Sequence, residues 1–449
     1  MTETRRHEPS AGTETTGQRW RVSPAPSPPK ALPKPPRRGA RTRAAMAAGR
    51  LAAGLSRGLG RGSGGIIGGR VALLLQPRLL EELATGRQIV MITGTNGKTT
   101  TTEMVAEALR SRGPAVSNAT GANMLDGHVA ALLADPQAPF ASLEVDELHL
   151  SWVTERFEPA VIVLLNLSRD QLDRIGEIRT VEQNLRRALR RAPGALVGAN
   201  RDDPNIVSAA FDHPAVRWVS GGVRWKHDAL NCPRCGTFLG EADEDWACPC
   251  GLHRPSADWT VTDRGLIGPD GRPQQLELAL PGQANRINAA FALAAAVDLG
   301  CEQDGAVERI QRITQAEGRY GQVHLGGRPA RLLLAKNPAS WLEMLDLVSG
   351  NDHQLVLVVN SREADGHDVS WLWDVDFEVL RGRAVAVSGD RACDLAVRLR
   401  YAGVDCRVHA AVDDALRAHA PDDRPDDHRP DVIANYTAFR DLFARRERA

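Results

Sequence analysis

Between residues 88 and 200, unbroken apolar runs alternate with stretches of helical periodicity. QIVMIT (88–93), FASLEVDE (140–147), AVIVLLNL (160–167) and GALVGAN (194–200) do not alternate polar with apolar residues, so each predicts a strand buried on both faces. TTEMVAEALRSRG (101–113) and TVEQNLRRALRRA (180–192) carry apolar residues at helical spacing between them. That order predicts a parallel sheet wrapped by helices. Residues 225–260 break the pattern with cysteines and turn residues and predict an insertion, after which NRINAAFALAAAVDLG (285–300) resumes a helix. From residue 323 a second α/β section follows, with strands ARLLLA, QLVLVVN and AVAVSG and helices ASWLEMLDLVSG and RACDLAVRLRYAG. Upstream, residues 52–86 read as a Gly-rich linker followed by a helix.

A chain of 449 residues exceeds what one core organises. The expected division is a basic tail at 1–45, a larger α/β domain at 46–322 carrying the insertion at 225–260, and a smaller α/β domain at 323–449. Lys plus Arg equals Asp plus Glu, at 56 each, so net charge gives no support for a nucleic-acid partner. The Pro-, Arg- and Lys-rich tail has too few large apolar residues to offset its ordering entropy and reads as disordered. It is a candidate for contact with an anionic membrane surface, against the alternative of a solvated segment that binds nothing. With no apolar run of transmembrane length and no secretory core, the chain reads as cytoplasmic, at most touching the inner face of a membrane.

TGTNGKTT follows the first predicted strand and opens a helix. Gly94 and Gly97 allow a sharp turn that brings N–H groups toward an anion, and Thr95, Asn96 and Thr100 complete the loop. Lys98 supplies charge for the β- and γ-phosphates of ATP, and Thr99 a hydroxyl for Mg²⁺. Thr93 stands where such loops usually have their first glycine. The acidic strand end SLEVDE offers Glu144, Asp146 or Glu147 as the metal's carboxylate. Cys232, Cys235, Cys248 and Cys250 form CxxC, twelve residues, then CxC, with a glycine after each half. Four thiolates in a short, loop-rich segment favour a structural, tetrahedral Zn²⁺ site, with disulfides and an iron–sulfur site as the alternatives. Cys301, Cys393 and Cys406 read as buried apolar positions.

TGTNGKTT, the acidic strand end, NLSRDQLDRIGE, LPGQANRINAAFALAAA and EGRYG occur in the order that resembles the Mur ligase family, which uses ATP to convert a carboxylate to an acyl phosphate for attack by an amine. The resemblance favours Glu144 for Mg²⁺, Asn285 for adenine and Arg319 for the phosphates. Departures lie at Asp170-Gln171, at Gly282-Gln283-Ala284-Asn285, and at LLAKNP, where Leu333 and Lys336 replace the family's Asp and His. These, the cysteine cluster and the stretches NPASWLEML, ADGHDVSWLWDVDFE and SGDRACDLAVRLRYAG are similar to the MurT subgroup. That resemblance implies a GatD-like glutaminase partner in a heterodimer, amidation of the D-glutamate α-carboxylate in lipid II or a muropeptide precursor, and an acid of this chain orienting the partner's histidine. Asp368 and Asp365 are the candidates for that acid, ahead of Asp374 and Asp376, with helix capping as the alternative role. A folyl- or cyanophycin-type ligase and a non-catalytic nucleotide-binding scaffold are the rival readings.

Overall fold

The computed structural model describes residues 36–58, 65–118, 121–168, 178–222, 230–240, 245–314, 320–325, 327–418 and 429–447. Arg319, Asp170, Gln171 and the tail through residue 35 lie outside the described residues. The first section contains α1 (Ala40–Gly58), α2 (Gly65–Leu75), α3 (Leu79–Ala84), β1 (Gln88–Thr93), α4 (Lys98–Leu109), β2 (Ala115–Ser117), α5 (Leu125–Ala134), β3 (Phe140–Glu144), α6 (Leu150–Thr154), β4 (Val161–Leu164), α7 (Ile178–Arg191), β5 (Leu196–Asn200), α8 (Pro204–Ala210) and β6 (Val216–Ser220). Beyond the insertion come β7 (Trp259–Thr262), β8 (Gly265–Ile267), β9 (Pro273–Gln275), α9 (Gln283–Asp298) and α10 (Gln303–Gln311).

Among the described residues these strands form one sheet in the order β2-β3-β1-β4-β5-β6-β7-β8-β9, parallel through β7 and antiparallel at the β7-β8-β9 edge. The apolar runs lack alternation because both faces are covered. On β1, Ile89 and Met91 face the core shared with α3, α5 and α7, while Val90 and Ile92 face that of α4, α9 and α10. At the start of the β6–β7 pair Asp258 N donates to Trp218 O and Trp218 N donates to the Asp258 carboxylate, so the insertion leaves and re-enters the sheet between adjacent strands.

The second section contains β10 (Tyr320–Leu325), β11 (Arg328–Leu334), α11 (Pro338–Ser349), β12 (Leu355–Val358), β13 (Val385–Ser388), α12 (Ala392–Tyr401), β14 (Cys406–Val408), α13 (Val412–Ala418), β15 (Asp431–Ala434) and α14 (Tyr436–Phe443). Its sheet runs β10-β11-β15-β12-β13-β14, parallel except for the β10–β11 hairpin. The expected fold class is observed: a parallel sheet wrapped by helices, a cysteine-rich insertion and a smaller α/β sheet.

Residues 52–86 differ from expectation. Their first part completes α1 rather than forming a linker, and helix also occupies 40–45, within the expected tail. The glycines serve close helix packing: a Cβ on Gly49 would come within 2.8 Å of Gly68 O, and one on Gly69 within 2.0 Å of Asp126 O. Glycine spacing alone does not distinguish a flexible segment from a tight helix crossing.

Candidate active site

The loop after β1 sits between its two neighbours in the sheet, β3 and β4, and takes side chains from the ends of both. Gly94 and Gly97 adopt φ of 139° and 87°, a region that side chains disfavour. Space forbids a side chain as well, since a Cβ on Gly94 would lie 2.9 Å from Leu165 Cβ and one on Gly97 2.6 Å from Asn288 Oδ1. Asn166, just past β4, holds the loop: its carbonyl accepts from Thr95 N at 2.9 Å and its Oδ1 from Asn96 N at 2.9 Å. Thr95 Oγ1 donates to Ser168 O at 3.1 Å.

Lys98 Nζ donates to Gly94 O at 2.6 Å and to Glu147 Oε1 at 2.9 Å, in a pair whose side chains are only 9% and 10% exposed. Burial pushes the Glu147 carboxyl up from its ordinary range, and the Lys98 charge opposes that. Thr99 Oγ1 donates to Glu144 Oε2 at 2.8 Å. Of the three carboxylates in SLEVDE, Glu144 therefore meets the threonine and Glu147 the lysine, while Asp146 Oδ1 accepts from Leu148 N at 3.0 Å in the following turn. Hard oxygen donors at Thr99 and Glu144 suit Mg²⁺.

The backbone of Glu144 is gripped in turn. Asn118 Oδ1 accepts from Glu144 N at 2.7 Å, and both Asn118 Nδ2 (2.9 Å) and His128 Nε2 (2.8 Å) lie on Glu144 O. His128 is fully buried, and burial pulls its imidazole from the ordinary 6.5 down to about 4. A depressed histidine stabilises the fold above its unfolded value, and that stability is lost as pH falls toward the folded value. Wild-type stability should therefore decline between pH 6.5 and about 4, and His128→Gln should flatten this part of the curve, read by thermal unfolding across pH.

The second sheet reaches the same loop. Asn337 caps α11, accepting from Ser340 N at 3.0 Å, and exchanges two 3.2 Å amide hydrogen bonds with Asn96. Asn285, in the first turn of α9, donates to Pro281 O at 2.7 Å. One turn on, Asn288 lies against Gly97. Leu333, at the family's Asp position, is buried in β11 opposite Ile433.

The two candidate acids near β12 differ sharply. Asp365 is buried, and Thr437 holds both its oxygens, with the N–H 2.8 Å from Oδ1 and the hydroxyl on Oδ2; Arg362 N adds a 3.2 Å bond. Asp368 is exposed, and Ser370 N donates to its Oδ1 at 2.7 Å, holding the carboxyl below its usual range. Asp374 ends a 3₁₀ turn (Ser370–Asp374), and Asp376 opens another (Phe377–Leu380).

In the insertion the four cysteine sulfurs lie within 4.8 Å of one another. A tetrahedron with Zn–S of about 2.3 Å has edges of about 3.8 Å, so the donor set fits zinc. Cys232 O accepts from Gly236 N and Cys248 O from Gly251 N, each at 2.9 Å, forming two knuckles. The insertion's own core is Cys232, Trp246, Cys248 and Leu252 against Val207 of α8, too little to fold without a cross-link. The expected metal content is one zinc per chain. Chelation or Cys232→Ser should remove it and change the fluorescence of Trp246, with metal analysis as the check.

Residues 92–296 match the Mur ligase middle domain, and residues 334–439 match the MurT ligase C-terminal domain. Over 413 residues the chain is 30% identical to the lipid II isoglutaminyl synthase (glutamine-hydrolyzing) subunit MurT of Streptococcus pneumoniae, covering 84% of this chain and 92% of that one. The chain belongs to the MurT subgroup of the Mur ligase family. The corresponding subunit of Staphylococcus aureus is 27% identical, with 76% and 83% covered. Among solved structures, MurF from Acinetobacter baumannii superposes with a TM-score of 0.61 at 16% identity, covering 85% of this chain and 81% of that one. A pseudomurein peptide ligase type C from Methanothermus fervidus gives 0.60 at 18%, covering 82% and 81%. Both likenesses concern the fold.

Asn118, Asn166, Asn288 and Asn337 are the residues around the loop that sequence reasoning assigned no role. Each presents an amide at or near a strand or helix end; Asn166, Asn288 and Asn337 lie inside the quoted NLSRDQLDRIGE, LPGQANRINAAFALAAA and LLAKNP stretches, whereas Asn118 carried no sequence signal.

Proposed function

We propose that this chain is the ATP-consuming subunit of a lipid II isoglutaminyl synthase. It transfers the γ-phosphoryl group of ATP to the α-carboxylate of D-glutamate in the stem peptide. Ammonia from a partner glutaminase of the GatD type then attacks the acyl carbon, phosphate leaves, and an amide remains. The observation that carries the reading is the meeting of phosphate loop and second lobe at Asn96 and Asn337, in a chain that matches the MurT-type C-terminal domain. An acyl phosphate must be kept from water, and a site between two lobes can exclude it.

The residues divide the work. The loop from Gly94 to Thr100 presents backbone N–H groups to the phosphates, and Lys98 offsets charge on the transferring group. Thr99 and Glu144 would hold Mg²⁺, which when bound neutralises charge on the phosphate oxygens. Asn118 and His128 fix the Glu144 backbone, and Glu147 keeps Lys98 in place. Asn285 is assigned to adenine and Arg319 to the phosphates. Cys232, Cys235, Cys248 and Cys250 would clamp the insertion through zinc. Asp368, exposed and ionised, suits an acid that orients a histidine of the partner, whereas Asp365 is spent on Thr437. We place the working domains at 46–322 and 323–449.

The test is reconstitution. The chain alone should amidate a lipid II or muropeptide substrate with ATP and ammonium, and should use glutamine only when the partner is added. Glutamine-dependent amidation by the chain alone, or none with partner, ATP and glutamine together, overturns the proposal.

A further inference from the structure

No Asp or Glu occurs between Glu14 and Glu81, while that stretch holds thirteen Lys or Arg. Its described part folds as the α1–α2 hairpin. α1 turns Thr42, Ala45, Gly49 and Ser56 inward, and its opposite face is left open. On that open face Arg43, Arg50 and Arg57 recur every seven residues and so line up along the helix, with Arg50 also reaching Leu133 O. Beside them Leu51 and Leu55, one turn apart, are each 69% exposed. α2 adds Leu74, 81% exposed, with Ile66 and Ile67 also exposed. Arg70, one turn ahead of Leu74, is paired with Asp126.

Single exposed leucines need no explanation, but leucines and isoleucines clustered on a hairpin without any acidic residue do. Such a face combines apolar side chains that gain by leaving water with cations attracted to an anionic surface. Among the described residues no helix is long and apolar enough to cross a membrane, so the face would lie on a bilayer rather than span one.

We propose that the α1–α2 hairpin is a membrane-docking surface for anionic phospholipid. Its position couples docking to the site. α2 packs on α5 so closely that Gly69 abuts Asp126 O, and α5 carries His128, which contacts Glu144 O. The docked face is thus one helix removed from the acidic end of β3. The inference goes beyond the reaction proposed above, and its test does not require that reaction.

The test is flotation of the full chain, with and without its partner, on phosphatidylcholine vesicles and on vesicles containing about one-third phosphatidylglycerol. The chain should float with the anionic vesicles only, and added salt should release it. A Leu51→Glu, Leu55→Glu, Leu74→Glu variant should bind about tenfold more weakly, and Arg43→Gln with Arg57→Gln should also weaken binding, both with unchanged thermal unfolding. Equal binding to both vesicle types, or undiminished binding by the leucine variant, overturns the proposal. So does a finding that these residues serve self-association or nucleic-acid retention while vesicles are not bound.

Discussion

Lys98→Ala is expected to lower ATP-dependent amidation by about 10³-fold, because the charge proposed to offset the transferring phosphoryl group is lost. The same change leaves Glu147 buried without its partner, which costs on the order of 3 kcal/mol unless the carboxyl takes up a proton. Burial already raises Glu147, so proton uptake is the easier route, and the loss of stability should shrink as pH falls. The double variant Lys98→Ala, Glu147→Gln separates the two effects. Its thermal stability should return toward wild type while its activity stays lost, as measured by unfolding and by single-turnover amidation with ammonium. Recovery of activity in the double variant would mean that Lys98 acts only by neutralising Glu147.

Asp368→Asn is expected to lower glutamine hydrolysis by the reconstituted pair by about 10³- to 10⁴-fold, while ammonium-driven amidation by this chain is unchanged. The reason is tautomer control: a carboxylate accepts the N–H of a histidine and stabilises its protonated form, and an amide does neither as well. Asp365→Asn should behave differently. It disturbs the bonds to both N–H and hydroxyl of Thr437, so about 1–3 kcal/mol of stability is lost first and both half-reactions suffer together. Measuring the two half-reactions beside thermal unfolding distinguishes the roles. Full glutaminase activity in Asp368→Asn would remove this residue from the mechanism.

The phosphate loop was legible because everything it needs is local: an apolar strand, two glycines, Lys-Thr and a helix within twenty residues or so. In SLEVDE the family resemblance favoured Glu144 for the metal, but the pairing of Glu147 with Lys98 was not legible, since it depends on how the chain turns after β3. β15 was missed although it lies at the centre of the second sheet, because Asp431–Ala434 is short and its partners β11 and β12 are remote in sequence. The contact between Asn96 and Asn337 spans 241 positions and has no local trace. Asp365 and Asp368, three residues apart in one turn-rich stretch, looked equivalent. Only the packing of α14, which brings Thr437 to Asp365, separates them.

The most direct measurement follows oxygen. Precursor labelled with ¹⁸O in the D-glutamate α-carboxylate is turned over by the reconstituted pair with ATP and glutamine. If the carboxylate is phosphorylated and then displaced by ammonia, one labelled oxygen appears in inorganic phosphate for each amide formed. Amide formation with no label in phosphate, or label transfer that persists in Lys98→Ala, would contradict the account.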